Sequence, residues 1–217
     1  MDKFKGIIYD FDGVICDSVN VKTEAFAELY RTYGKEIENK VVEFHLAHGG
    51  VSRFEKFKHW HKEYLGIELD EQGVAELASQ FSNLVFEKVV NSNFIDGAIQ
   101  FIEENFEDKM QFICTGTPEV EIKAILKKRN IHQFFHHIYG SPKKKKEILF
   151  ELLKEYKLSS DQVVYFGDAM TDYEAANHYN IKFIGINGYD FPEHIEKYKS
   201  FSHLLSKNPF LTKYISD

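Results

Sequence analysis

A short apolar run, Ile7, Ile8 and Tyr9, leads directly into Asp10, Phe11, Asp12 and Gly13. An apolar run bounded by turn residues is what a strand buried on both faces of a parallel sheet requires. The C-terminal end of such a strand is where open α/β sheets hold ligands. Two carboxylates two positions apart at that end repel each other unless a cation lies close. A hard divalent cation with oxygen ligands, magnesium first, meets that need. Taken alone, the stretch also fits a plainer arrangement: a strand ending in an acidic turn, with Asp17 capping the helix that follows. The rest of the chain decides between the two.

The 217 residues suffice for one sizeable domain, or for a domain with a smaller one inserted in it. A hydrophobic content of 43%, with 15% aromatics, is enough for a packed core. The formal net charge of -7 argues against general affinity for nucleic acid or anionic lipid. It leaves room for a phosphorylated substrate, because a small site can be locally positive. Cys16 and Cys114 lack metal-type spacing and are expected to be reduced, buried thiols of a cytoplasmic protein. Residues 1–5 are charged and lack a long apolar stretch, so neither a signal peptide nor an anchor is expected. No run approaches the roughly 20 apolar residues of a membrane span.

After Ser18 the apolar period becomes helical. Val21, Ala25, Leu29 and Tyr33 share a face, and Gly34 stops the helix. Further helices are expected over 38–48, over 53–64 with Gly66 as its stop, and from Asp70 onward with Val74, Leu77, Phe81, Leu84 and Val85 buried. No strand pattern interrupts this region, which reads as an all-helical insert. Alternation resumes after Phe94. Helices are expected at 98–105, 145–156 and 172–179, and strands at 111–114, 137–139, 162–166 and 182–186. Thr117 and Pro118 are expected to open a helix as its N-cap and first residue. The tail after Pro192 suggests one or two short helices of no evident role. Strands alternating with helices imply a parallel sheet covered on both faces.

Four stretches then fall at the C-terminal ends of successive strands: Asp10 with Asp12, Thr115 with Gly116, the lysines that follow Gly140, and Asp168 with Asp172. Displacement at phosphorus needs a nucleophile in line, neutralisation of charge on the equatorial oxygens, and a proton donor for the leaving oxygen. A carboxylate nucleophile gives an aspartyl-phosphate. Threonine and lysine supply hydrogen bonds and positive charge to the phosphoryl oxygens.

These stretches, in this order, resemble the four motifs of the haloacid dehalogenase-like (HAD) hydrolase superfamily. The helical insert resembles the small cap of its phosphoglycolate phosphatase and β-phosphoglucomutase branch. The fold so implied is α/β: a Rossmann-like, three-layer parallel-sheet core, 1–16 and 93–217, with an inserted all-helical cap, 17–92. The resemblance implies Asp10 as nucleophile and Mg2+ ligand, and Asp12 as general acid/base with its backbone carbonyl on the metal. It implies Asp168 as a further ligand, with Asp172 orienting it or a bound water. Thr115 and Gly116 would meet the phosphoryl group. Lys143, Lys144, Lys145 and Lys146 run together, and Lys145 has the family's usual spacing ahead of the apolar Ile148. Dehalogenases of the superfamily lack the second aspartate, so Asp12 favours a phosphoester over an organohalide. A magnesium-dependent phosphatase acting on a small phosphorylated metabolite is the function implied.

The segment from His48 to Arg53 contains two glycines, and Ser52 is placed to cap the next helix. Arg53 is either a surface charge on that helix or, as in a Gly-x-Ser-Arg loop of the β-phosphoglucomutase branch, a contact to a substrate phosphate. That second option keeps a sugar phosphomutase as the nearest rival. A receiver-like module phosphorylated on Asp10 as a signal is a rival of another class. The histidines, His45, His48, His59 and His61 among them, fit no metal pattern and are expected on the surface. Phe54, Phe57, Trp60 and Tyr64 are expected to form cap core.

Overall fold

The computed structural model describes residues 4–187 and 191–207. Strand β1 (Gly6–Tyr9) is buried throughout. It lies between β2 (Met110–Pro118) and β4 (Val163–Gly167), parallel to both, with Gly6 opposite Met110 on one side and Val163 on the other. Strands β3 (His137–Ser141), β5 (Lys182–Ile186) and β6 (Lys197–Tyr198) complete a parallel sheet of order β3-β2-β1-β4-β5-β6. The order runs outward from β1 in both directions. The end of β1 is therefore the switch point where a doubly wound sheet opens a crevice.

Alternation along the strands divides the core. Ile7, Tyr9 and Phe166 belong to one apolar cluster, with residues of α5 (Ala98–Asn105), α6 (Glu119–Lys128) and α9 (Phe201–Lys207). Ile8, Cys114 and Tyr165 face the other way, against α7 (Lys145–Glu155) and α8 (Met170–His178). This is the period-two rule of a strand covered on both faces. Helix α9 gives the tail a role: Phe201 is buried, with its ring 4.9 Å from that of Phe101 and 6.2 Å from that of Tyr9. Residues 188–190 and 208–217, part of the expected last turn and of the core's C-terminal end, lie outside the described residues.

Between β1 and α5 come four helices: α1 (Val19–Tyr30), α2 (Lys35–Ala47), α3 (Arg53–Trp60) and α4 (Glu71–Val90). Their shared core is aromatic. Phe26 stacks on Phe81 at 4.0 Å between centroids and meets Trp60 edge-on at 5.0 Å. Phe57 and Trp60 are wholly buried. The helix expected over 53–64 keeps its length but widens to a π-turn at His61–Leu65, ended by left-handed Gly66. Asp70 caps α4 by accepting from the Gly73 amide at 2.8 Å. The two connections to the sheet run side by side: Asp17 N donates to Asn93 O and Ile95 N to Ile15 O, both at 2.9 Å.

Two expectations are corrected. His45 and His61 are buried rather than superficial, because the aromatic cap core extends around both rings. Thr117 does not cap α6. Strand β2 continues through Pro118, which takes the cap position itself, and the Thr117 hydroxyl turns to Asp12 instead. Among the described residues, no helix is long and apolar enough to cross a membrane.

Candidate active site

Asp10 follows β1 directly, and its backbone N–H still donates to Phe166 O of β4 at 2.9 Å. The sheet therefore fixes the Asp10 backbone at the switch point. Oδ1 accepts from the Phe11 amide at 2.6 Å, and Oδ2 accepts from Lys145 Nζ at 2.7 Å. Lys145, on the first turn of α7, is buried and also bonds Asp172. The other three lysines of the run turn away: Lys143 pairs with Glu151, Lys144 with Glu55, and Lys146 is exposed.

Asp168 comes just after β4, on the neighbouring strand end. One carboxylate oxygen from each of Asp10, Asp168 and Asp172 lies within 4.8 Å of the others. Their environments differ. Asp172 Oδ1 accepts from Tyr165 Oη at 2.6 Å as well as from Lys145, and Oδ2 accepts from the Ala169 amide at 3.2 Å. The Asp168 carboxylate has no hydrogen-bond donor among the described residues. Burial, then the charges of Asp10 and Asp172, push its pKa well above the usual carboxylate range. Burial, with repulsion from Asp172 and Asp12 and against the pull of Lys145, raises Asp10 to about 6. Burial works against the Lys145 ammonium, yet Asp10 and Asp172 raise its pKa above the ordinary lysine value. One ammonium thus faces three carboxylates, one of them without a partner. An all-oxygen set short of positive charge fits a hard divalent cation. Gly13 allows the approach: it sits at φ +77°, and a Cβ there would lie 2.1 Å from Asp168 Oδ2.

Asp12 points elsewhere. Its Oδ1 accepts from Ser18 Oγ at 2.5 Å, and Oδ2 accepts from Thr117 Oγ1 at 2.9 Å and from the Lys22 ammonium. Burial alone would raise its pKa, but Lys22 and these hydrogen bonds hold it below the usual carboxylate value. Lys22 and Thr117 were not legible as site residues. Lys22 lies on the polar side of the α1 period, and Thr117 looked like a helix cap.

Asp10, Asp12 and Asp168 open into a cavity of about 310 Å3 roofed by the helical insert. Thr115 and Gly116 form its wall on β2. The roof is seated firmly: Thr171 Oγ1 donates to Gly49 O at 2.8 Å, and a Cβ on Gly116 would meet Gly50 O at 2.7 Å. Arg53 borders the same cavity from the first residue of α3. Its guanidinium is taken up by Glu121 of α6, with NH1–Oε2 and NH2–Oε1 distances of 2.8 and 2.6 Å, and also donates to Ser82 Oγ at 2.7 Å. Both charges of that fork-to-carboxylate pair are buried.

Among solved structures, β-phosphoglucomutase from Clostridium difficile superimposes with a TM-score of 0.78 at 18% identity, covering 98% of this chain and 97% of that one. A predicted phosphoglycolate phosphatase from Haemophilus somnus gives 0.75 at 20% identity, covering 96% and 99%. CbbY from Rhodobacter sphaeroides, in complex with xylulose-(1,5)bisphosphate, gives 0.75 at 17% identity, covering 93% and 96%. At these identities the similarity establishes the fold. A search of curated proteins finds no match. The sequence matches the family described as haloacid dehalogenase-like hydrolase over residues 7–186, from the first strand through the fifth and across the whole helical insert. The chain belongs to the haloacid dehalogenase-like hydrolase family.

Proposed function

We propose that the protein is a magnesium-dependent phosphatase that hydrolyses a small phosphorylated metabolite through an aspartyl-phosphate, an acyl phosphate of Asp10. One observation carries this reading: Asp10 and Asp12 share a strand end but are held for different tasks. Asp10 is fixed by the sheet and by Lys145 beside Asp168 and Asp172. Asp12 is turned towards Lys22 and Thr117 at the cavity floor. Asp10, Asp168 and Asp172, with the Asp12 backbone carbonyl, would hold the metal. When bound, Mg2+ supplies positive charge to the phosphoryl oxygens.

The protein residues do the rest. Asp10 attacks phosphorus and forms the acyl phosphate as the P–O bond to the leaving group breaks. In its protonated form Asp12 gives a proton to the leaving oxygen; the carboxylate so formed, which Lys22 and Thr117 favour, then takes one from the water that cleaves the acyl phosphate. Thr115 and Lys145 stabilise charge on the transferring group. The roof excludes bulk water. A small metabolite suits the cavity volume, and a cytoplasmic setting suits two buried, free thiols, whose pKa values burial pushes to about 11 for Cys16 and about 12 for Cys114.

A panel of phosphorylated metabolites tests this. With Mg2+ the protein should release phosphate from at least one, and a chelator should reduce release to background. No release from any ester would overturn the reading and favour the receiver-like signalling module. That alternative has little else behind it, because the chain belongs to a hydrolase family. The phosphomutase alternative rested on Arg53 meeting a substrate phosphate, and Arg53 is committed to Glu121. A hexose 1-phosphate in the panel separates the two: inorganic phosphate indicates the hydrolase, and an isomerised sugar phosphate the mutase.

A further inference from the structure

Three cationic side chains border the cavity: Lys22, Arg53 and Lys56. Lys22 is paired with Asp12, and Arg53 with Glu121. Lys56 has no carboxylate partner among the described residues, although it is only 2% exposed. It projects from α3 into the roof, where its ammonium lies 2.7 Å from His45 Nδ1 and 5.8 Å from the centre of the Phe26 ring. His45 and Phe26 border the same cavity.

The neighbours do not neutralise this charge. Opposite an ammonium, His45 Nδ1 accepts, so its ring carries the proton on Nε2, which is buried and has no partner among the described residues. Burial, then the Lys56 charge, depress the His45 pKa to about 3, so the ring is neutral. The remaining charged groups that act on Lys56 are Lys22 and Lys145, which oppose its charge, and Asp12 and Asp168, which favour it. Asp12 is already held by Lys22. An ammonium buried without a counter-ion is unfavourable until a ligand supplies one.

We propose that Lys56 docks a second anionic group of the substrate, so that the enzyme takes small phosphomonoesters whose far end carries a carboxylate or another phosphate. The inference rests on the phosphatase reading for the near end of the cavity. It assigns the far end to Lys56 rather than to Arg53. Burial, together with the nearby Lys22 and Lys145 ammonium groups, lowers the Lys56 pKa to about 7. A bound anion would reverse that effect, as an opposite charge does wherever it meets a buried amine.

The test compares matched probes. Phosphoglycolate is set against ethyl phosphate, and propane-1,3-diol bisphosphate against propyl phosphate. In the wild type, kcat/KM should be higher for the anionic member of at least one pair, and which pair shows it distinguishes a carboxylate site from a phosphate site. Lys56→Met should cut that preference about 10- to 100-fold, as expected for losing a hydrogen bond between charged groups. Lys56→Arg should retain most of it. Lys56→Gln serves as a second neutral variant should the methionine protein fail to fold.

Calorimetric titration of the same probes into Asp10→Asn protein, with and without Lys56→Met, separates this proposal from the phosphatase reading. Tighter binding of an anionic probe that depends on Lys56 upholds the docking site even if no probe is turned over. No preference in the wild type, or a preference unchanged in Lys56→Met by both readouts, overturns it.

Discussion

The Asp10→Asn protein should fold as the wild type does and lose phosphatase activity by about four orders of magnitude or more, the scale on which removal of a covalent nucleophile acts. Asparagine is nearly isosteric with aspartate. Its side-chain oxygen can still accept from the Phe11 amide or from Lys145, the two donors that hold Asp10. Stability should not fall, because a neutral residue at this position relieves the repulsion from Asp172 and Asp12 that helps raise the Asp10 pKa. Lys145 also keeps Asp172 as a partner. A melting curve and steady-state phosphate release check the two halves. Turnover near the wild-type rate in a well-folded Asp10→Asn protein would rule out attack by this residue.

Replacing Asp12 should have the second-largest effect. General acid–base catalysis contributes about 10²–10⁴-fold, so Asp12→Asn should slow both formation and hydrolysis of the acyl phosphate on that scale. Asparagine keeps one acceptor oxygen, for either Ser18 or Lys22, whereas alanine keeps none. Leaving-group chemistry offers a sharper readout. p-Nitrophenol departs readily as its anion, so the first step with its phosphate ester needs little help from an acid. Rapid-mixing kinetics should show a small loss in acyl-phosphate formation with p-nitrophenyl phosphate and a large one with an alkyl phosphate. Equal losses on both substrates would mean that Asp12 does not protonate the leaving oxygen.

The arrangement of the sheet could be read in advance because its causes are local. Ile7, Ile8 and Tyr9 are buried on both faces of a parallel strand, and an uninterrupted apolar run says so. The helical stops at Gly34 and Gly66 were legible because each has positive φ, a backbone region that favours glycine. Position at strand ends also brought Asp10, Thr115 and Asp168 together on paper, since every strand that carries one runs the same way.

What escaped the sequence depends on how the helical roof meets the sheet. Arg53 and Glu121 are 68 positions apart, and nothing in either segment announces their pairing. Thr117 has the chemistry of a helix cap, and only the longer β2 shows why its hydroxyl serves Asp12. His45 and Lys56 are polar residues on α2 and α3, and they become neighbours only where those helices pack. In each case a residue type common on surfaces is drawn inside by a contact from a distant segment.

The central claim is that Asp10 carries the phosphoryl group between leaving group and water. The most direct measurement is chemical trapping of that acyl phosphate. Wild-type protein is mixed with a substrate and Mg2+, quenched in acid during the first turnover, reduced with borohydride, digested and examined by mass spectrometry. Borohydride converts an acyl phosphate to the alcohol and leaves a free carboxylate intact. The expected result is a peptide in which the side chain at position 10 alone has become the alcohol. Unmodified Asp10 during a burst of product release, or the alcohol at position 12 instead, would contradict the account.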